Sequence, residues 1–164
     1  MNHETINPID EPAPGSLPEA DQTRLRHLLE TQKYAVLATD NHGQPYTSLM
    51  AYSITDDLRA FILMTERGRL KYENLMTNPR VAIMIDNREN LGSDLAATIA
   101  VTAQGVADEI SGEARDAARA CCLVRHPALQ SFADSPSCAF IRIQVTSYVI
   151  VRQFQDVTEW RIAR

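Results

Sequence analysis

The amino-acid sequence predicts a mainly β fold of the α+β class, with six antiparallel strands in a closed or half-closed barrel and a few flanking helices. Short apolar or alternating runs follow one another with only brief turns between them, which is typical of strands joined as hairpins. Helix-like segments separate only some of these runs. The regular strand–helix alternation of a doubly wound sheet is missing, and so is its glycine-rich first turn.

The first part of the chain is predicted as one helix and a meander of three strands. Acidic residues in the first turn and leucines at i, i+3 and i+4 spacing predict a helix over 18–32. Strands follow at 34–39, 45–54 and 58–65, separated first by the turn DNHG and then by two aspartates. Because these links are so short, neighbouring strands must run antiparallel.

The rest of the chain alternates less regularly. A short helix over 69–77 ends before Pro79, which cannot extend a helix, and an apolar strand follows at once. The next strand is long, and Gly105 predicts a bend within it. The remaining predicted strands are residues 80–86, 96–110 and 138–151. The remaining predicted helical segments are residues 113–125 and 129–133.

Length and composition narrow the classes of protein. The chain has 164 residues, of which 45% are hydrophobic, and this suits one domain with a real core. Residues 1–20 are rich in proline and acids and are predicted to form a flexible N-terminal arm before a domain over 21–164. The net charge of -5 argues against nucleic-acid partners, and no apolar run approaches a membrane span. We therefore expect a cytoplasmic protein with neither nucleic acid nor membrane as partner.

The cysteines and histidines do not predict a metal site. Cys121, Cys122 and Cys138 form no C-x-x-C pair, and we expect them to be reduced thiols in or near the core. The histidines are scattered, and we expect them to be solvated or to act as caps.

The most unusual motif is a basic turn in MTERGRLKYENLMTNPRV, residues 64–81. Arg67, Arg69 and Lys71 alternate where a strand passes into a helix. Such turns are common, and by itself the pattern favours a solvated turn. The alternative is a phosphate site, because two cations, free N–H groups and the positive end of a helix dipole would then converge.

A longer pattern contains this turn. The order G-x-P-x-x-S, then D-D and a threonine, then a lysine six residues later, then N-L-x-x-N-P-R-V resembles the pyridoxamine 5'-phosphate oxidase-like family of FMN-binding split barrels. The resemblance extends from about residue 24 to about residue 151. The residues that carry it are Gly43, Pro45, Ser48, Asp56, Asp57, Thr65, Lys71, Asn74, Leu75, Asn78, Pro79, Arg80 and Val81.

The resemblance implies a split β-barrel that forms a homodimer, with FMN at the subunit interface. It implies that Thr65, Arg69 and Lys71 bind the FMN phosphate and that Asn74 helps to orient this site. It also implies that the second strand lines the isoalloxazine ring. The residues concerned there are Ser48, Leu49, Met50 and Ala51.

Departures from the family pattern bear on the activity. Leu70 stands where the oxidase proper has an arginine, Ala100 stands where it has a glutamine, and its C-terminal Arg-x-His motif is missing. The resemblance therefore implies an FMN-dependent oxidoreductase acting on an unidentified small substrate rather than a pyridoxamine phosphate oxidase.

The sequence also allows two functions other than that of an enzyme. One alternative is a non-catalytic flavin sensor or carrier, and another is an empty barrel that serves only as a dimer. The haem-degrading branch places a histidine in the helix after the third strand, and residues 65–78 contain none. The sequence identifies no catalytic acid or base. Tyr46 and Tyr52, in the second strand that is expected to line the flavin, are the first candidates for such a role, and Trp160 could cover the flavin ring.

Overall fold

The described residues, 17–92, 97–153 and 155–162 of a computed structural model, form an antiparallel barrel with helices packed against it. The strands are β1 Tyr34–Asn41, β2 Gln44–Ile54, β3 Ala60–Glu66, β4 Arg80–Asp86, β5 Ile99–Ile110, β6 Cys138–Arg152 and β7 Asp156–Arg161. The helices are α1 Glu19–Thr31, α2 Leu70–Thr77, α3 Ala114–Arg125 and α4 Gln130–Ala133, with a 3-10 turn at Pro127–Leu129 before the last.

The strand pairings close the sheet on itself. The order is β3-β2-β1-β4-β5-β6-β7, and an additional antiparallel pairing of β3 with the first half of β6 completes the barrel. The second half of β6 pairs instead with β7, which lies outside the barrel. The predicted fold class is confirmed. β7 was not predicted, because its sequence DVTEWR carries two acids and only a weak alternation.

Gly105 lies where the register of β5 against β6 shifts, so the predicted bend is confirmed as a β-bulge. A Cβ atom at this position would lie 2.5 Å from the carbonyl oxygen of Gln144 and 2.8 Å from Cγ2 of Ile143. The two backbones approach so closely here that only glycine fits.

Three aromatic side chains occupy the middle of the barrel interior. Tyr52, Phe61 and Tyr148 are almost fully buried, and the rings of Tyr52 and Phe61 meet edge to face at 5.4 Å. The buried Tyr52 hydroxyl donates a hydrogen bond to the Leu29 carbonyl at 2.9 Å, and the Tyr148 hydroxyl donates to the Leu58 carbonyl at 2.7 Å. Each phenol therefore enters the core with its polar atom paired.

Helices α3 and α4 cover a second apolar cluster on the other side of β3 and β6. Ile62, Met64 and Phe140 face this cluster from the strands, and Cys122 and Cys138 are buried within it. The cysteines are free thiols, as predicted, and burial raises the pKa of Cys122 to about 12. This cluster holds the α3–α4 region against the barrel.

The structure bears on the predicted N-terminal arm and on the predicted lack of a membrane span. Residues 1–16 of the predicted arm lie outside the described residues, while Leu17 is buried and Glu19 begins α1. Within the described part of the chain, none of the helices is both long enough and apolar enough to cross a membrane.

Candidate cofactor-binding cleft

A cleft of about 550 Å³ opens between β2, the end of β3, the start of α2 and the segment around α4. This volume is within the range typical of small-molecule sites. Its lining residues are Tyr46, Leu49, Met50, Ala51, Met64, Thr65, Glu66, Arg69, Leu70, Lys71, Leu129 and Phe132.

Most of the site residues implied by the family resemblance are brought together here. The cleft is lined by Leu49, Met50, Ala51, Thr65, Arg69 and Lys71. Ser48 and Asn74 lie outside the lining: Ser48 is half-buried in β2, and Asn74 is a buried residue of α2. The structure thus brings residues of both parts of the predicted site, β2 and the basic turn, into the lining of a single cleft.

The polar end of the cleft carries unused hydrogen-bonding capacity. Thr65 is 3% exposed, and its hydroxyl has no hydrogen-bond partner among the described residues. Helix α2 begins just after it, and its N-cap residue Arg69 makes no side-chain capping bond. The first N–H groups of a helix have no intrahelical partner and carry a partial positive charge. Lys71 lies in this first turn and forms no ion pair within the described part of the chain.

The two arginines of the basic turn already have partners. Arg69 Nε donates to Glu66 Oε2 at 2.6 Å, and both side chains line the cleft. Arg67 points away from the lining: its guanidinium donates to Glu109 on β5 and to the carbonyl oxygen of Pro136. The alternating cations therefore have different surroundings, which their even spacing in the sequence does not reveal.

Glu109 anchors the start of α2 to the barrel. Its second carboxylate oxygen accepts a hydrogen bond from the Tyr72 hydroxyl at 2.6 Å, so Arg67 and Tyr72 hold the same carboxylate from both sides. Burial alone would raise the pKa of Glu109, but the hydrogen bonds from Arg67 and Tyr72 hold it below its ordinary value. The hydrogen bond to Glu109 fixes the side chain of Tyr72, the residue that follows Lys71 in α2.

Asn74 lies outside the lining and is hydrogen-bonded to the barrel. Its side-chain amide donates to the Thr39 hydroxyl at 3.0 Å, and this hydroxyl in turn donates to the Tyr46 carbonyl at 3.3 Å. Asn74 therefore connects α2, which carries Lys71, with β1 and with a cleft residue of β2.

Much of the remaining lining is apolar. Leu49 and Met50 come from β2, Met64 from β3, and Leu129 and Phe132 from the α4 region. Sequence reasoning predicted a helical turn around 129–133 but did not connect it with the site. No local pattern marks these two side chains, because their place in the cleft depends on how the α3–α4 region packs on β3 and β6.

Several other candidates lie elsewhere. Burial raises the pKa of Tyr52 to about 12 although Arg125 lowers it, and Tyr52 is outside the cleft, whereas Tyr46 lines it. Trp160 stacks on Tyr148 at 5.6 Å and does not line the cleft. His126 takes one of the two expected roles, since it is the C-cap residue of α3 and its backbone N–H donates to the Cys122 carbonyl at 2.8 Å. Its ring is buried rather than solvated and donates from Nε2 to the Tyr52 carbonyl at 2.8 Å.

Sequence comparison identifies the family. The chain belongs to the pyridoxamine 5'-phosphate oxidase family, whose sequence model matches residues 22–151. A curated relative from Schizosaccharomyces pombe (strain 972 / ATCC 24843), described as a pyridoxamine 5'-phosphate oxidase homolog, is 32% identical over 71 residues. That match covers 38% of this chain and 37% of the relative, so it spans little more than a third of the relative's length.

Solved structures share the fold at low sequence identity. A haem-binding protein from Mycobacterium smegmatis superposes with a TM-score of 0.77 at 24% identity, covering 90% of this chain and 60% of that one. An FAD-binding protein from Mesorhizobium loti superposes with a TM-score of 0.64 at 19% identity, covering 79% of this chain and 90% of that one. At these identities the likeness shows the fold alone, and the ligand must be argued from the cleft.

Proposed function

We propose that this protein binds FMN in the cleft and is an oxidoreductase that acts on an unidentified small substrate. The observation that carries the proposal is the Thr65 hydroxyl, buried and without a partner among the described residues, beside the uncapped start of α2 and Lys71. Buried polar groups in proteins are normally paired, so this arrangement is typical of a ligand site. A phosphate supplies the oxygen acceptors that a hydroxyl, N–H groups and an ammonium require.

Different lining residues would contact the phosphate and the ring system of FMN. Lys71, Thr65 and the N–H groups of α2 would hold the phosphate, and the backbone and side chains of Leu49 to Ala51 would lie along the ring system. Flavin supplies hydride chemistry when bound, while the protein orients the substrate and excludes water. Leu129 and Phe132 provide an apolar wall that would limit the entry of water to the substrate side.

The proposal includes a homodimer with FMN at the interface, in the cytoplasm. The barrel exterior over β1, β2 and β4 supports the dimer. Six side chains on this face are apolar and lie around the exposed Thr47: Tyr34, Val36, Ala38, Leu49, Ala82 and Met84. Tyr34 and Leu49 are 60% and 72% exposed, and Leu49 also lines the cleft, so a partner covering this face would reach the cofactor.

The particular reaction of pyridoxamine phosphate oxidase is not part of the proposal. Leu70 is 40% exposed and lines the cleft where the oxidase resemblance calls for an arginine, which removes one phosphate contact. Ala100 lies in β5, paired with Asp86 and Val151, and brings no amide group to a flavin. A flavin carrier without turnover is the alternative, and it shares the same phosphate site.

The test of the proposal is titration of the apoprotein with FMN and, separately, with riboflavin, followed by flavin fluorescence. We expect saturable FMN binding at micromolar protein and much weaker riboflavin binding, because riboflavin lacks the phosphate. Absence of a saturable change with FMN would overturn the proposal. Oxidation of a reduced nicotinamide with an added electron acceptor then distinguishes an oxidoreductase from a carrier. Light scattering that gives a mass near that of one chain would overturn the dimer.

A further inference from the structure

The polar end of the cleft contains an acid as well as cations. Glu66 lines the cleft beside Arg69 and Lys71, and it accepts the 2.6 Å hydrogen bond from Arg69. A carboxylate at an anion site acts against the ligand in two ways. It repels the incoming phosphate, and it occupies a guanidinium donor that the phosphate would otherwise use.

Glu66 differs from its acidic neighbours in what it reaches. Glu109 holds Arg67 and Tyr72 outside the lining, and Glu73 is exposed on α2, also outside the lining. Among the described residues that line the cleft, Glu66 is the acidic one. Two cations and one carboxylate of this end therefore face the same small volume.

We propose that Glu66 is a specificity-determining residue that competes with the cofactor phosphate for Arg69. The inference rests on the proposed function, since it assigns a role within the same phosphate site. While Glu66 holds Arg69, the phosphate meets Lys71, the start of α2 and Thr65; full use of Arg69 requires its exchange from carboxylate to phosphate. Because breaking the Glu66–Arg69 pair costs free energy, the phosphate contributes less to the binding free energy of FMN. The preference for FMN over riboflavin is therefore smaller.

A purely structural role for the Glu66–Arg69 pair makes a different prediction. The two side chains are 36% and 66% exposed and stand three residues apart, and exposed pairs of this kind contribute little to stability. Replacing Glu66 by the isosteric glutamine should therefore leave the fold intact. It should change phosphate binding without changing the binding of an uncharged flavin.

The experiment compares wild type, Glu66→Gln and Glu73→Gln in FMN and riboflavin titrations at one low ionic strength. Glu73→Gln is the matched control, because it removes the same charge from a nearby exposed site outside the cleft. We expect Glu66→Gln to bind FMN about threefold to tenfold more tightly, as removal of one nearby like charge at a solvent-exposed site allows. Riboflavin affinity should be the same in all three proteins.

A double-mutant cycle adds a measurement that does not depend on one variant. Arg69→Gln should weaken FMN binding more in the Glu66→Gln background than in wild type, because Arg69 is then free for the phosphate. Equal losses in the two backgrounds, an unchanged or weaker FMN affinity in Glu66→Gln, or an equal gain for riboflavin would each overturn the inference. If wild type binds FMN, these results overturn the role of Glu66 alone. If wild type does not bind FMN, the proposed function and this inference fall together.

Discussion

Two buried hydroxyl groups of the barrel interior are hydrogen-bonded, whereas one buried hydroxyl group of the cleft is not. In the interior, the Tyr52 and Tyr148 hydroxyls each donate to a backbone carbonyl. In the cleft, the Thr65 hydroxyl is just as inaccessible but has no partner among the described residues, and α2 starts without a side-chain cap. An unpaired buried group costs stability. Under the proposed function, this difference means that the interior is arranged for stability, whereas the cleft keeps a hydroxyl and helix N–H groups available for a ligand.

The largest expected effect lies on the side of stability, at Gly105. A Cβ added there would lie 2.5 Å from the Gln144 carbonyl oxygen, so β5 and β6 would have to separate. We expect Gly105→Ala to lower the free energy of unfolding by about 2–3 kcal/mol, as overpacking does. Urea unfolding measures this. Gly92→Ala is the control, since its Cβ would meet no atom within 4 Å. Equal stability of the two variants would show that the bulge tolerates a side chain.

The next effect lies on the side of binding, at Lys71. Loss of a charge-assisted hydrogen bond should weaken FMN binding by about 1.5–3 kcal/mol, or roughly 10- to 150-fold, in Lys71→Ala. Riboflavin affinity and thermal stability should not change. Lys33→Ala is the control, because Lys33 is exposed at the start of β1 and outside the cleft. If both variants bind FMN alike, the basic turn is a solvated turn.

A smaller effect on stability is expected at Tyr148. Tyr148→Phe removes the 2.7 Å hydrogen bond to the Leu58 carbonyl and keeps the ring that packs on Phe61 and Trp160. We expect a loss of about 0.5–1.5 kcal/mol in the free energy of unfolding, with FMN binding unchanged. Tyr34→Phe, at a side chain that is 60% exposed, should leave stability unaltered. An equal loss of stability in Tyr34→Phe would contradict the prediction, because it would show that the buried, hydrogen-bonded hydroxyl of Tyr148 contributes no more than an exposed one.

Local signals predicted most of the fold. β4 was predicted at residues 80–86 and found there, because Pro79 and an unbroken apolar alternation mark its limits. The bulge at Gly105 was also predictable from one glycine in a long strand. Closure of the barrel through β3 and β6 was expected only as a barrel or half-barrel, since this pairing joins residues distant in the sequence.

The lining of the cleft was predictable in part, and the pairings of its side chains were not. The β2 segment and the basic turn came from the family pattern, and each contributes residues to the cleft: Leu49, Met50 and Ala51 from β2, and Arg69 and Lys71 from the turn. The family pattern did not predict the partners of Arg67 and Arg69. Glu109 lies 42 residues from Arg67, and the even spacing of the three cations does not show which of them is already paired. Leu129 and Phe132 were missed for a related reason: apolar residues in a short helical turn have no signal that separates a cleft wall from core packing.

Thr65 offers the most direct test of the claim that the cleft keeps polar groups unpaired for a phosphate. Thr65→Val removes the hydroxyl and keeps the shape, while Thr65→Ser keeps the hydroxyl as a control. Because the hydroxyl has no described partner, we expect Thr65→Val to be as stable as wild type or about 1 kcal/mol more stable, and to bind FMN about threefold to tenfold more weakly. Riboflavin binding should not change. Lower stability with unchanged FMN affinity, the pattern expected for an interior hydroxyl such as that of Tyr148, would contradict the account.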